Sequence, residues 1–194
     1  MPRPLPLLPL SPGRVYRTRD LARWTRNPTR LAARLVETGA LRRLAHGLYT
    51  WQRTGRFGPV PPTDEELLRA FLGETPFVLT GPPAWNALGL GATAVHADTL
   101  VYNTKRSGTF RLGGRSFRLR RVAFPKQPPK EWFVVDLLQH AGEVGVSREE
   151  VVHAVKRALA AGRLDTDRLR LMAERYARRS VRALLYMTLA AHAP

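Results

Sequence analysis

Asn27-Pro28 constrains the first third of the chain more than any other feature. A proline has no amide hydrogen and crowds the preceding turn, so one continuous helix cannot cross residues that otherwise read as helical. Before the break, Thr18 is a good N-cap for a short helix over 19–25, with Leu21, Ala22 and Trp24 as its apolar residues. After it, Asn27 can cap, Pro28 is preset for the first helical position, and a second helix runs to Thr38, where Gly39 ends it. At about 100° per residue, Leu31 and Leu35 share one face with Ala32 beside them. Thr29, Arg30, Ala33 and Glu37 point the other way, and Arg34 flanks them. Leu41 to Trp51 then reads as two short strand-like runs joined at Ala45-His46-Gly47, where Gly47 can supply positive φ.

Helix, tight turn, helix, hairpin is the order of a winged helix-turn-helix. A second helix with small and basic outward residues suits a major groove. Asn27, Thr29, Arg30, Ala33 and Arg34 are expected to meet base edges or phosphates, with Arg19 and Arg26 beside them. Arg42, Arg43 and His46 on the wing are expected to hold the backbone. The charge points the same way. The net charge is +17, and all but four of the 32 basic residues are arginine, the side chain suited to bidentate phosphate and guanine recognition. Residues 1–60 carry +10, residues 61–130 carry +5 and residues 131–194 carry +2. A nucleic-acid-binding module joined to a more neutral domain has this distribution. The competing interpretation is a short amphipathic helix pair whose arginines are merely solvated.

The 194 residues suffice for one to two small domains, with no stretch of 18 uninterrupted apolar residues. Zero cysteines exclude disulfides, zinc fingers, iron-sulfur clusters and thiol nucleophiles, and fit a cytoplasmic protein. Met1–Pro12 carries five prolines and predicts an extended arm that packs on its own domain or frays. Gln52–Thr63, rich in Gly and Pro, reads as a linker. Beyond it, helices are expected over Asp64–Leu72, Pro82–Leu88, Glu131–Ala141, Ser147–Ala161, Thr166–Arg178 and Ser180–Ala191. Strands are expected at Phe77–Thr80, Thr99–Tyr102, Gly108–Leu112 and Arg115–Phe124, the last two joined by Gly113-Gly114. The expected class is α+β, with a winged helix-turn-helix domain over 15–54 after an arm over 1–14. A linker over 55–63 leads to a helix-rich α+β domain with a small antiparallel sheet over 64–194.

Other motifs fail on context. Gly89-Leu-Gly-Ala-Thr-Ala94 matches a relaxed dinucleotide fingerprint, but it follows a helix and precedes a strand, the reverse of what that motif needs. Asp136 and His140 have i, i+4 metal-ligand spacing, yet His46, His96, His153 and His192 show none to match. No nucleophile or acid/base pair stands out, so neither cofactor nor catalysis is expected. Lys105, Arg106, Arg111, Arg115, Arg118, Arg120 and Arg121 crowd one hairpin. That cluster reads equally as a second polyanion contact and as a charge-protected edge strand.

Several blocks resemble the AbiEi family of antitoxins of type IV, or abortive-infection, toxin-antitoxin systems. They are Tyr16-Arg-Thr-Arg-Asp-Leu-Ala, Leu31 to Leu35, Thr38-Gly39-Ala-Leu-Arg-Arg-Leu and His46-Gly-Leu-Tyr-Thr50. Leu79-Thr-Gly-Pro-Pro-Ala-Trp-Asn-Ala-Leu-Gly-Leu90 with Val134-Val-Asp-Leu-Leu138 is the more discriminating portion. The resemblance implies a non-enzymatic protein whose winged helix binds inverted repeats in its own promoter, and because repeated half-sites need two modules a dimer on DNA is expected. It also implies a second domain that counters a nucleotidyltransferase-like toxin. The recognition helix would carry Thr29, Arg30, Ala33 and Arg34, and the wing Arg42, Arg43 and His46. The alternative function is a stand-alone winged-helix regulator or RNA-binding module with no toxin partner. A leading helix is not readable in Met1–Pro12, so the module is either incomplete or leans on the rest of the chain.

Overall fold

A computed structural model describes residues 8–90, 98–143 and 145–190. Residues 1–7 of the arm, Gly91–Ala94 of the glycine-rich block, His96 and His192 lie outside the described residues. The class is α+β, with helices and small antiparallel sheets. Two compact units divide the chain, one formed by residues 1–75 with 110–116 and the other by 76–109 with 117–194.

In the first unit, β1 (Val15–Arg17), β2 (Arg42–Ala45) and β3 (Leu48–Thr50) form a sheet of order β1-β3-β2. The first helix departs from expectation: it is a 3-10 helix over Thr18–Arg23, and Thr18 is not its cap. The Thr18 amide is taken by the Gly47 carbonyl at 3.0 Å, so the helix start falls back to Arg17, whose amide donates to Asp20 Oδ2 at 2.8 Å. α1 (Pro28–Glu37) begins where Pro28 requires. Leu31, Ala32 and Leu35 are buried with Tyr16, Leu21, Leu41 and Tyr49, and each fully buried leucine contributes about 1.5–3 kcal/mol. Leu8 and Leu10 of the arm pack on the same cluster, and the Tyr16 hydroxyl accepts the Ser11 amide at 2.7 Å.

The expected linker over 55–63 is largely a hairpin, β4 (Arg53–Gly55) with β5 (Gly58–Val60). Its glycines and prolines shape a turn rather than free the chain. α2 (Asp64–Leu72), capped by Thr63 and Glu66, packs against β1 and belongs to the first unit, not to the second as expected. Its amphipathic stripe of Leu67, Leu68 and Leu72 is buried there, and the boundary moves to Thr75/Pro76.

The second sheet runs β6-β7-β9-β8, from β6 (Phe77–Thr80), β7 (Asp98–Asn103), β8 (Gly108–Leu112) and β9 (Arg115–Arg121). β8 and β9 meet at Gly113-Gly114, both at positive φ, 60° and 84°. The tip of this hairpin, 110–116, belongs to the first unit, where the Gly113 amide donates to the Leu44 carbonyl at 2.9 Å. In the second unit, α3 (Pro82–Asn86) and α4 (Lys130–His140) precede α5 (Arg148–Ala160), α6 (Thr166–Tyr176) and α7 (Arg179–Ala190). Its core centres on α4, where Val134, Val135, Leu137 and Leu138 are almost wholly buried. The capping box expected at Ser147 and Glu150 forms, and its hydrogen bonds hold the Glu150 carboxyl below the usual carboxylate range. No helix among the described residues is long and apolar enough to cross a membrane.

Candidate nucleic-acid interface

α1 has two chemically distinct faces because its apolar residues recur at helical spacing. With Leu31, Ala32 and Leu35 turned inward, Thr29, Arg30 and Ala33 are exposed and Arg34 is half-buried. Arg19 and Arg26 are also exposed, as are Arg42, Arg43 and His46 on β2 and its turn. The residues assigned to this surface from the sequence therefore all reach solvent in the first unit.

Two of them have local duties. Asn27 Oδ1 accepts the Arg30 amide at 3.0 Å, which closes the first turn of α1. That oxygen is committed to the Arg30 amide, which leaves the Asn27 side-chain amide nitrogen as its remaining polar group. Arg43 Nη2 lies 3.4 Å from His46 Nδ1, so the guanidinium folds over the turn.

A cleft of about 140 Å³ opens beside β2. Arg42, Arg43, Thr50 and Gln52 line it together with Gly113, Gly114 and Arg115. Arg115, read from sequence as part of a separate basic hairpin, thus stands with Arg42 and Arg43. It is anchored by Asp64 Oδ1 at 2.6 Å and by the Pro62 carbonyl. Sequence periodicity could not bring Arg115 to Arg42, because their meeting depends on a long-range hydrogen bond between Gly113 and Leu44.

The rest of the basic hairpin is drawn into ion pairs and turns. Arg118 pairs with Asp98 at 3.0 Å, and Arg120 lies 4.0 Å from Glu143 and 3.1 Å from His140 Nε2. Lys105 and Arg106 donate their amides to Asn103 Oδ1 at 2.9 and 2.8 Å, and the Arg121 amide donates to Ser107. Lys105, Arg111 and Arg121 keep exposed side chains. The edge-strand reading fits Arg111 alone, on the outer strand β8, because Arg115, Arg118, Arg120 and Arg121 lie on β9, an inner strand between β7 and β8.

A buried polar centre in the second unit was only half legible. Asp136, 2% exposed, accepts Thr80 Oγ1 at 2.6 Å, Trp85 Nε1 at 3.0 Å and the Tyr102 hydroxyl at 2.8 Å. His140 Nδ1 donates to the Asp136 carbonyl at 2.9 Å and lies 3.4 Å from its carboxylate, while the ring stacks on Trp85. Spacing marks Asp136 and His140 only as an unmatched metal-ligand pattern on one helix, and Thr80, Trp85 and Tyr102 come from other elements. Burial and then the Asp136 charge push the Tyr102 phenol up, keeping it a donor. The recess beside Trp85 and Arg120, about 10 Å³, admits a water-sized guest at most. The centre ties β6, α3, β7 and α4 together.

Burial disfavours the His140 imidazolium, but its hydrogen bonds to Asp136 outweigh that and raise its pKa above 6.5. The stabilisation is therefore complete below about pH 6.5 and fades as pH rises through the higher folded value. The stability difference between the wild type and His140→Gln should shrink from pH 6 to pH 8.5 in thermal melts, and a difference that grows with pH overturns this.

No protein-family model matches the chain, and no curated protein is significantly similar to it.

Proposed function

We propose that the chain is a DNA-binding antitoxin that represses its own operon, with the first unit a winged helix-turn-helix and α1 its recognition helix. The observation that carries this reading is the exposed Thr29, Arg30, Ala33 and Arg34 face of α1, set beside a β1-β3-β2 sheet in a segment of +10 charge. The packing of α2 on β1 supports a module that draws a third helix from noncontiguous chain. The antitoxin half of the proposal rests on the resemblance. Its two discriminating blocks converge on one hub: Thr80 and Trp85 from the first donate to Asp136 of the second. The partners proposed are double-stranded DNA bearing inverted repeats, bound by two copies, and a nucleotidyltransferase-like toxin that the second unit counters.

The test is titration of the full chain against its own upstream DNA and a scrambled duplex at several salt concentrations. Log affinity should fall with log salt at a slope of roughly 0.9 per neutralised phosphate, with the upstream duplex bound tighter by a factor on the order of 10³. Equal binding to both duplexes removes the repressor reading and favours an RNA-binding role.

A further inference from the structure

The β4–β5 hairpin belongs neither to the core nor to the surface assigned above. Gly55 pairs with Gly58, leaving Arg56 and Phe57 alone at the tip. Gly58 takes positive φ, 110°, which spares both tip residues that conformation. A Cβ on Gly55 would stand 2.9 Å from Val60 Cγ2, so the neck of the hairpin is tightly closed. Phe57 is 96% exposed, against 73% for Met187, the next most exposed large hydrophobic residue among those described. The Arg56 guanidinium lies over its ring, 5.6 Å from the centroid. Tight turns normally carry Gly, Asn or Asp, so a bare phenylalanine here has no role in shaping the turn.

The surroundings select the occupant. Between Glu37 and Asp64 the sequence has no acidic residue, while Arg42, Arg43, Arg53 and Arg56 all fall there. A cationic tip with one flat apolar ring matches a polyanion that also offers flat apolar faces, and stacked bases are that surface. A tip two residues wide suits the minor groove, about 6 Å across, whose negative potential attracts arginine. Apolar side chains inserted there unstack a base step and kink the duplex.

We propose that the Arg56–Phe57 tip is a second nucleic-acid contact, in which Arg56 enters the minor groove of duplex DNA and Phe57 wedges against a base step. The inference rests on the DNA-binding reading above and adds deformation of the duplex to sequence readout by α1.

The test uses a 30-base-pair duplex from the chain's upstream DNA, its ends carrying a fluorescence energy-transfer pair, with the full-length wild type, Phe57→Ala and Arg56→Ala. The wild type should kink the duplex by roughly 20–90°. Phe57→Ala should bind about tenfold more weakly, keep the salt slope and leave the duplex straight. Arg56→Ala should lower the slope by about 0.9. Exposure of Phe57 means that its thermal melt should match the wild type. A wild type that binds a duplex without bending it, or a Phe57→Ala variant that binds and bends it normally, overturns this inference alone. A wild type that binds no duplex removes the DNA-binding reading and the inference with it. Loss of binding to phosphatidylserine vesicles by Phe57→Ala, with DNA binding intact, reassigns the tip to a membrane surface.

Discussion

Asp136→Ala is expected to unfold the second unit or to leave it melting about 15 °C or more below the wild type. The carboxylate is 2% exposed and satisfies three buried side-chain donors: Thr80, Trp85 and Tyr102. Each donor stranded without an acceptor costs about 1–3 kcal/mol, so the total is roughly 3–9 kcal/mol against a typical domain stability of about 5–15 kcal/mol. At about 4 °C per kcal/mol, a loss of about 4 kcal/mol or more within that range gives the stated shift. Asp136→Asn keeps one acceptor oxygen but turns an amide toward donors, and should lose less. Tyr102→Phe removes a donor rather than the acceptor and should cost only about 1 kcal/mol. Thermal melts by circular dichroism rank the variants, and an alanine variant within a few degrees of the wild type sinks the hub.

The elements that were legible were those whose signal is local. α5 could be delimited because Ser147 and Glu150 cap it and a Val151–Val155–Leu159 stripe repeats at helical spacing. The β8–β9 turn followed from Gly113-Gly114, and the inward face of α1 from Leu31 and Leu35. Elements decided by long-range partners were not legible. β1 is three residues long and exists because Val15, Tyr16 and Arg17 pair with Thr50, Tyr49 and Leu48. α2 was readable as a helix, but its membership in the first unit depends on what its leucines pack against. The glycines and prolines of 52–63 signal a turn and a linker equally, and only the Arg53–Val60 pairing separates them. The same division applies to the sites. The outward residues of α1 share one helix face, so their exposure was readable from spacing, whereas the Asp136 centre gathers residues up to 56 positions apart.

Arg30→Ala with Arg34→Ala should abolish sequence-preferring DNA binding while the fold survives. Arg30 is exposed and Arg34 half-buried on the outer side of α1, while Leu31, Ala32 and Leu35 anchor the helix in the core and Asn27 caps it at the Arg30 amide. Alanine has the highest helix propensity, so both replacements favour the helix intrinsically, and the melt should move little. On DNA each arginine that reads a base edge contributes about 1–3 kcal/mol, so the double variant should lose roughly 2–6 kcal/mol, or about 30- to 20,000-fold in affinity for the upstream duplex. The pattern of loss separates two roles for the same side chains. If they read bases, the upstream duplex loses affinity and the scrambled duplex changes little. If they hold phosphates, both duplexes weaken together and the salt slope falls by about two. Unchanged affinity for the upstream duplex in a folded variant would show that α1 is not the recognition helix.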